Sequence, residues 1–206
     1  MPLLVSEMFY SLQGEGSRAG EPSVFIRLAG CSAKFACAAA GIACDTEFES
    51  GTLFDPDDLV DVVRAKVSAE CRWIVWTGGE PTDQLDQPLV MRFKAAGYQQ
   101  QIETSGIRCP PAGIDWVTVS PKVAEHILAR NFPMRADGYH VDELKYIRHA
   151  GQAIPQPALR ARVLCLSPHS DGDVINRENL AHCIALCLAN PRWRLSLQQH
   201  KLWRVR

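Results

Sequence analysis

Short apolar runs, each followed by a polar or glycine-rich segment, recur along the chain. Runs rich in β-branched and aromatic residues occupy positions 5–12, 23–28, 72–77, 100–103, 115–119, 141–148, 162–166 and 194–198. Their length and composition predict strands. Segments with helical periodicity lie between several of them, at residues 55–69, 85–97 and 178–189. Strands that alternate with helices predict a parallel sheet with crossover connections.

Capping residues predict where the three helices begin and end. Asp55 followed by Pro56 indicates the start of the first helix, Gly97 the end of the second and Asn176 the start of the third. The third helix also has apolar residues at helical spacing, which predict a buried stripe. Its members are Leu180, Cys183, Ile184, Cys187 and Leu188.

Polar segments follow the carboxyl ends of the predicted strands. They occupy positions 13–16 (QGEG), 78–81 (GGEP), 104–106 (TSG), 120–122 (SPK), 167–170 (SPHS) and 199–201 (QHK). Because ligands of parallel α/β folds bind at this edge of the sheet, we expect these segments to form a shared site. We expect Glu80 to offer its carboxylate to a ligand ammonium. QGEG and GGEP also fit ordinary turns, so neither is decisive alone.

Three of the eight cysteines, Cys31, Cys37 and Cys44, follow the strand at 23–28. Three thiolates in one segment are able to hold a metal or an iron–sulfur cluster. A structural zinc site takes four ligands, whereas a four-iron cluster held by three cysteines leaves one iron open. The alternative is that these cysteines are small buried hydrophobes. Asp45 and Thr46 suit a Mg²⁺ ion or, alternatively, a local turn.

The remaining five cysteines are expected to pack rather than to bind a metal. Cys183 and Cys187 lie on the predicted buried stripe, and Cys71, Cys109 and Cys165 are isolated in the sequence. The histidines form no recognisable metal pair. His169 and His200 nevertheless follow predicted strands, at the expected rim of the site.

Composition excludes several classes of protein. The 206 residues are 47% hydrophobic, which suits a single globular domain spanning residues 1–206. A formal net charge of −1 does not favour nucleic acid or an anionic membrane as a partner. No apolar run is long enough to cross a bilayer, and the first residues do not resemble a signal peptide. We therefore expect a cytoplasmic protein with reduced cysteines.

Seven segments together resemble the radical S-adenosylmethionine enzymes and, among them, the 7-carboxy-7-deazaguanine synthase family. In chain order they are 11–16 (SLQGEG), 27–31 (RLAGC), 44–46 (CDT), 77–81 (TGGEP), 103–106 (ETSG), 120–122 (SPK) and 195–198 (LSLQ). The resemblance covers almost the whole chain. It implies an α/β fold, an incomplete (β/α) barrel of about six mostly parallel strands, and a homodimer.

The cysteine spacing departs from the family pattern. The family's usual motif is C-x3-C-x2-C, whereas this chain has C-x5-C-x6-C, with Gly41 where a cysteine would stand. Cys31 and Cys44 match by their flanking residues. By the resemblance Cys37 is the remaining ligand, and we expect the alanine-rich loop that follows it to fold back and bring it to the cluster.

The resemblance implies radical chemistry on a pterin. Cys31, Cys37 and Cys44 would hold a [4Fe–4S] cluster whose open iron binds S-adenosylmethionine. An electron from flavodoxin or a similar reductant would yield a 5′-deoxyadenosyl radical. The radical would remove a hydrogen from 6-carboxy-5,6,7,8-tetrahydropterin, which contracts with loss of ammonia to 7-carboxy-7-deazaguanine, a queuosine precursor. The implied contacts to S-adenosylmethionine are Ala43, Cys44, Asp45, Gly79, Glu103, Ser105, Ser120, Pro121, Lys122, Ser167, Pro168, His169 and Ser170.

The resemblance also assigns the substrate side of the site. The guanidinium of Arg27 would pair with the substrate carboxylate in two parallel hydrogen bonds, and Thr46 would bind Mg²⁺. No side chain is assigned as an acid–base catalyst. The implied substrate contacts are Leu12, Gln13, Gly14, Glu15, Arg27, Thr77 and the C-terminal Arg206, which stands where the family usually has proline.

Two other functions compete with this interpretation. Glycyl-radical activating enzymes share the cluster loop and the GGEP segment. The SLQGEG segment and Arg27 instead suit a small carboxylated heterocycle. The second alternative is a non-catalytic zinc-binding or ligand-binding relative, and the unusual cysteine spacing is its main support.

Overall fold

The chain forms one mixed β-sheet flanked by helices in a computed structural model that describes residues 2–39, 48–68, 70–170, 172 and 174–205. Within these residues the strands are β1 (Leu3–Leu12), β2 (Pro22–Leu28), β3 (Thr52–Phe54), β4 (Trp73–Gly78), β5 (Gln99–Thr104), β6 (Trp116–Val119), β7 (Val141–Arg148), β8 (Ala161–Pro168) and β9 (Trp193–Leu195). Their order in the sheet is β3-β1-β2-β4-β5-β6-β7-β8-β9.

Most of the strand pairs are parallel. β1 is antiparallel to both β2 and β3, and the pairs from β2 through β4 to β9 are parallel. Because β3 and β9 stand at opposite ends of the strand order, the sheet does not close within the described residues. The predicted incomplete barrel is confirmed.

The expected number of about six strands is too low, because the described residues form nine. That number came from the family resemblance, whereas the apolar runs themselves mark eight of the nine strands. The unmarked strand, β3, has three residues, too few to show an alternating pattern. It is defined by its pairing, since Leu3 of β1 lies opposite Phe54.

The described helices are α1 (Lys34–Ala39), α2 (Leu59–Lys66), α3 (Gln87–Ala95), α4 (Glu125–Asn131), α5 (Arg177–Ala189) and α6 (Gln199–Trp203). The sequence predicts α2, α3 and α5 but not the short α1, α4 and α6. None of the helices in the described ranges combines the length and the apolar character that a bilayer span requires.

The predicted start of α2 is wrong. Asp55 accepts a hydrogen bond from the Asp57 N–H (2.9 Å) within a turn, and the helix begins only after Asp58. The cap-and-proline pattern therefore marks a turn that precedes the helix. The end of α3 is confirmed, because Gly97 follows it with a φ of +87°.

The start of α5 is confirmed, but two of the five residues of its predicted stripe are exposed. The Asn176 side chain accepts hydrogen bonds from the backbone N–H groups of Glu178 (3.1 Å) and Asn179 (3.0 Å). Cys183 is fully buried, whereas Ile184 and Leu188 are 41% and 78% exposed. The helix packs on β8 and on β9, which is a short edge strand, so only a narrow side of the helix is covered.

Side chains alternate between two environments along the parallel strands. Ile26, Ile74, Trp76 and Ile102 are buried in the main hydrophobic core, where Trp76 contacts Phe93 of α3 edge-on at 5.0 Å between ring centroids. The opposite face of the same strands is polar. Strand register aligns Arg27 with Thr77, Glu103 with Thr118, and Thr118 with Glu143 across this face.

The cap of α5 yields a first testable prediction. We expect Asn176→Ala to lower the free energy of unfolding by about 1 kcal/mol, because two helix N–H groups lose their acceptor. Asn176→Asp keeps an acceptor oxygen and serves as the matched control. Urea unfolding followed by circular dichroism measures both variants, and equal losses would contradict the cap.

Candidate active site

A cavity of about 1000 Å³ opens on the polar face, near the carboxyl ends of β2, β4 and β5. The six described residues that the sequence assigns to the substrate all line it: Leu12, Gln13, Gly14, Glu15, Arg27 and Thr77. Glu103, assigned to S-adenosylmethionine, lines it as well. Arg206, the seventh substrate residue, lies outside the described residues.

One wall of the cavity comes from the β1–β2 pair. Antiparallel register places Glu7 opposite Arg27 and Phe9 opposite Phe25. The Arg27 guanidinium donates to Glu7 Oε2 at 3.0 Å and lies 5.1 Å from the Phe9 ring centroid. The two phenylalanine rings stack at 5.0 Å between their centroids. The pairing therefore holds a cationic group at the cavity wall in a defined orientation.

The QGEG segment forms a second wall, and helix α6 packs directly against it. The Gly14 carbonyl accepts a hydrogen bond from the Gln199 N–H at 2.9 Å. A Cβ at position 14 would lie 2.2 Å from His200 Nδ1, so only glycine permits this close approach. Gln13 is buried and donates to Glu103 Oε1 at 2.9 Å. The segment is thus a turn that also faces the cavity.

An ion cluster supports the base of this wall. Lys145 Nζ lies 2.5 Å from Glu15 Oε2 and 3.6 Å from Glu103 Oε2. Burial alone would lower the pKa of Lys145, but the charges of Glu103, Glu15 and Glu143 outweigh it, and the net effect is a raised pKa. The lysine is therefore an ammonium at neutral pH.

The pKa of Glu15 shifts in the direction opposite to that of Lys145. Burial raises its pKa, but the attraction and hydrogen bond of Lys145 outweigh burial, and the net pKa is lowered. Because its folded-state pKa is below the unfolded value, this pairing stabilises the fold at neutral pH and is lost as the pH falls. Glu143 differs, since burial raises its pKa despite a 2.8 Å hydrogen bond from the Ser17 N–H.

Glu80 of the GGEP segment is an internal structural group, which corrects the expectation that it binds a ligand ammonium. Its carboxylate is fully buried and accepts hydrogen bonds from five protein donors. They are the N–H and hydroxyl of Thr82 (3.1 and 2.7 Å), the Thr104 hydroxyl (2.7 Å), and the N–H and hydroxyl of Ser105 (2.9 and 2.5 Å). It therefore joins the loop after β4 to the end of β5.

The same loop passes close to the first cysteine. The Gly79 N–H donates to the Leu28 carbonyl at 2.9 Å, and the Glu80 N–H donates to the Gly30 carbonyl at 3.0 Å. A Cβ on Gly79 would lie 1.8 Å from the Gly30 oxygen and 3.0 Å from Cys31 Cβ. Only glycine allows this approach, so Cys31 and the GGEP backbone are immediate neighbours.

Cys37 lies in helix α1, where its N–H donates to the Ala33 carbonyl at 3.0 Å. Ala40 and Gly41 of the loop that is expected to fold back lie outside the described residues. Alanine has the highest helix propensity of all residues, which explains a helix in this alanine-rich segment. Ala43, Cys44, Asp45 and Thr46 lie outside the described residues. Within the described part of the chain, no three metal-ligating side chains meet, although the Cys31 thiol beside Gly79 is the donor type that an iron–sulfur cluster requires.

The structure divides the remaining predicted cofactor residues into two groups. The first group lies after β5 and β6, where the Lys122 N–H donates to the Ser105 carbonyl (3.1 Å) and Lys122 Nζ donates to Ser120 Oγ (3.0 Å), with Pro121 between them. Through Ser105 this group contacts Glu80. The second group lies three strands further along the sheet, at the end of β8, and comprises Ser167, Pro168, His169 and Ser170.

The second group does not line the cavity. The His169 ring stacks on His149 at 4.3 Å between ring centroids. His200 does line the cavity, so of the two histidines expected at the rim the structure brings only His200 to this site.

Sequence reasoning missed several cavity residues. They are Glu7, Phe9, Phe25, Gly172, Arg204 and Val205, whereas Gln198 and Lys201 belong to segments that the sequence already indicates. The strand register would have found Glu7, because a charged residue in an apolar strand opposite Arg27 suggests a cross-strand ion pair. The C-terminal residues carry no such signal, since they reach the cavity only through the packing of α6.

The cysteines outside the first triplet have the inert character that was expected for them. Burial raises the pKa of the Cys165 thiol to about 12 and that of Cys183 to about 11. Burial also raises the pKa of Cys187. Since the thiolate is the form that binds metals, these groups are poor ligands.

Comparison with known proteins places the fold and the site in context. No protein-family model matches the chain. It is 37% identical over 202 residues to 7-carboxy-7-deazaguanine synthase of Bacteroides thetaiotaomicron, covering 98% of both chains. It is 36% identical to the enzyme of the same name from Bradyrhizobium diazoefficiens, covering 100% of both. The crystal structure of QueE from Escherichia coli superposes with a TM-score of 0.69 at 28% identity, covering 97% of this chain and 95% of that one.

An incomplete barrel with a cysteine segment packed against a glycine-rich loop defines a radical S-adenosylmethionine enzyme. Within this class of enzyme, the relatives that match along nearly their full length identify the family. The chain belongs to the 7-carboxy-7-deazaguanine synthase family.

The five hydrogen bonds accepted by the buried Glu80 carboxylate yield a second prediction. We expect Glu80→Gln to lower the free energy of unfolding by about 2 kcal/mol or more, because an amide cannot accept all five hydrogen bonds and buried donors lose their partner. Chemical denaturation measures the change. Glu70→Gln, at an exposed position, is the matched control and is expected to leave stability unchanged. A fully stable Glu80→Gln protein would contradict the structural role.

Proposed function

We propose that this chain converts 6-carboxy-5,6,7,8-tetrahydropterin to 7-carboxy-7-deazaguanine, with loss of ammonia, as a step toward queuosine. The observation that carries the proposal is the convergence of Leu12, Gln13, Gly14, Glu15, Arg27 and Thr77 on one cavity in a member of this family. Its volume of about 1000 Å³ lies at the upper end of the range for small-molecule sites. A bicyclic pterin and part of a nucleoside cofactor fit this volume together.

The charges of the cavity complement the proposed substrate. The Arg27 guanidinium already donates to Glu7 and has further N–H groups for a substrate carboxylate. Across the cavity, the carboxylates of Glu15 and Glu103 accept hydrogen bonds from a donor-bearing ring edge. A ligand with an anionic group at one end pairs with Arg27, and N–H groups at its other end donate hydrogen bonds to Glu15 and Glu103.

The residues around the cysteine segment would hold the cofactors. We assign Cys31, Cys37 and Cys44 to a [4Fe–4S] cluster, Thr46 to Mg²⁺, and Gly79, Glu103, Ser105, Ser120 and Lys122 to S-adenosylmethionine. When bound, the reduced cluster and S-adenosylmethionine supply the radical that removes a substrate hydrogen. The protein supplies orientation, because Gly79 fixes the loop beside Cys31 and Glu80 fixes Ser105.

Further assignments extend from this function. A flavodoxin-like protein is the proposed electron donor, and a homodimer of single-domain chains in the cytoplasm is the proposed assembly. The cytoplasm is proposed because a cluster requires free cysteine thiols, and a reducing compartment keeps thiols free.

Turnover of the anaerobically reconstituted protein tests the function directly. Dithionite-reduced enzyme with S-adenosylmethionine and the carboxytetrahydropterin is expected to form 7-carboxy-7-deazaguanine, measured by mass spectrometry. Rapid formation of 5′-deoxyadenosine without the deazapurine would favour another substrate, as in a glycyl-radical activating enzyme. Zinc without sulfide after reconstitution would favour the non-catalytic alternative.

Arg27→Ala gives the third prediction. We expect the KM for the pterin to rise at least ~10-fold, because a charge-assisted contact with the substrate carboxylate is lost. Uncoupled cleavage of S-adenosylmethionine is expected to survive. Arg64→Ala, which removes an exposed arginine paired with Asp61, is the control. Equal losses of pterin turnover and of uncoupled cleavage would contradict the role of Arg27.

Cys37→Ala gives the fourth prediction. We expect this variant to lose the visible charge-transfer absorption of a thiolate-bound cluster after reconstitution, together with most of its iron and sulfide. Cys109→Ala removes an exposed cysteine outside the segment and is expected to keep both signals. A Cys37→Ala protein with an intact cluster would overturn the assignment, and a different third ligand would then be required.

A further inference from the structure

A buried lysine lies directly behind two carboxylates of the cavity. Lys145 does not line the cavity, and its side chain is only 8% exposed. Its Nζ is 2.5 Å from Glu15 Oε2 and 3.6 Å from Glu103 Oε2, and both glutamates do line the cavity. The three residues come from β7, from the loop after β1 and from β5. One ammonium thus joins two separate walls.

The cluster has more negative than positive charge. Two carboxylates that share one ammonium leave a net negative charge at the cavity surface. A carboxylate has about four acceptor positions. Glu15 accepts from Lys145 (2.5 Å) and Gln198 (3.2 Å), and Glu103 accepts from Gln13 (2.9 Å) and Gln101 (3.4 Å), so both carboxylates keep acceptor positions for a ligand. The surface therefore favours a ligand edge that carries several N–H donors. The amino-pyrimidinone ring of a pterin has such an edge.

Without Lys145, two half-buried carboxylates would lie near each other with no cation between them. Like charges in such a site raise the pKa of one group until it binds a proton. A protonated carboxyl donates one hydrogen bond and loses acceptor capacity. The ammonium therefore preserves the acceptor character of both glutamates.

We propose that Lys145 is a positioning residue that holds Glu15 and Glu103 as an ionised pair and thereby selects the hydrogen-bond-donating edge of the pterin, without touching the substrate itself. The inference rests on the proposed function. It concerns a side chain that the sequence motifs leave unassigned, on a strand that contributes no lining residue to the cavity.

Other charged groups act on the same cluster and must be considered with it. Glu143, also on β7, attracts Lys145 from the other side, and Cys165 of β8 lies close enough to interact with it. His200 of α6 attracts Glu15. Arg18 attracts Glu103 but is already bound to Glu21 and Gln101. Lys145 alone among these contacts both cavity glutamates.

The test compares Lys145→Met with the unmodified holoenzyme. Isothermal titration with the product 7-carboxy-7-deazaguanine measures Kd from pH 5 to 8, and steady-state assays give KM for the pterin and for S-adenosylmethionine. We expect the product Kd and the pterin KM of the variant to rise at least ~10-fold near neutral pH. The KM for S-adenosylmethionine is expected to rise less than the KM for the pterin, because only Glu103 of the two glutamates is assigned to this cofactor. Uncoupled cleavage at saturating S-adenosylmethionine is expected to survive.

The pH profile separates positioning from a merely structural role. In the unmodified protein the attraction of Lys145 lowers the pKa of Glu15, and the pH profile of its product Kd serves as the baseline. In Lys145→Met, affinity is expected to increase as the pH rises, because a proton shared by the carboxyls is released. Lys145→Arg keeps the charge and is expected to recover part of the affinity. Lys94→Met, at an exposed lysine paired with Asp115, is the control.

A second variant keeps the proposal testable if Lys145→Met does not fold. The double variant Glu15→Gln/Lys145→Met removes one carboxylate together with the ammonium, so the like-charge conflict disappears. We expect it to fold, to bind product as weakly as Glu15→Gln alone, and to lose the pH dependence.

Each contrary result has a distinct meaning. Equal product affinity in Lys145→Met and in the unmodified enzyme would overturn the inference and leave the proposed function intact. A loss of affinity that is independent of pH, or an increase of both KM values by the same factor, would also overturn it. An unmodified holoenzyme that neither binds the deazapurine nor forms it would overturn the proposed function and, with it, the role of Lys145.

Discussion

The alternation of side chains along the parallel strands is the constraint on which the other features depend. Successive residues of a strand point to opposite faces, so each of β2, β4 and β5 gives one face to the apolar core and the other to the cavity. Buried charge on the inner face must be paired, and Glu15, Glu103 and Lys145 meet this requirement together. The chemistry of the site and the packing of the core are therefore set by the same strand register.

Much of the fold could be predicted because its strands are apolar and its principal helices are capped. Eight apolar runs matched strands, and Asn176 marked the start of α5 correctly. The short elements were not predicted, because the three residues of β3 and the five residues of α6 are too few to show a periodic pattern. The start of α2 was predicted wrongly at Asp55 and Pro56, because a residue pair that often begins a helix also forms turns.

The site was predictable where motif and strand end coincide, and unpredictable where side chains meet across the fold. Arg27 and Thr77 were identified by their family segments at strand ends, and parallel register places them side by side. Glu80 looked like a ligand group, but its five donors come from its own loop and the end of β5. Lys145 was passed over, because only the tertiary structure brings β7 against the loop after β1.

The two ends of the described chain meet at the cavity. Ser196 Oγ accepts a hydrogen bond from the Gly16 N–H at 2.9 Å, Gln198 Nε2 donates to Glu15, and α6 packs on Gly14. During synthesis the first wall therefore emerges from the ribosome long before its partner. Without residues 196–199 the segment at residues 14–16 lacks these contacts, so the completed cavity depends on residues that are far apart in the sequence.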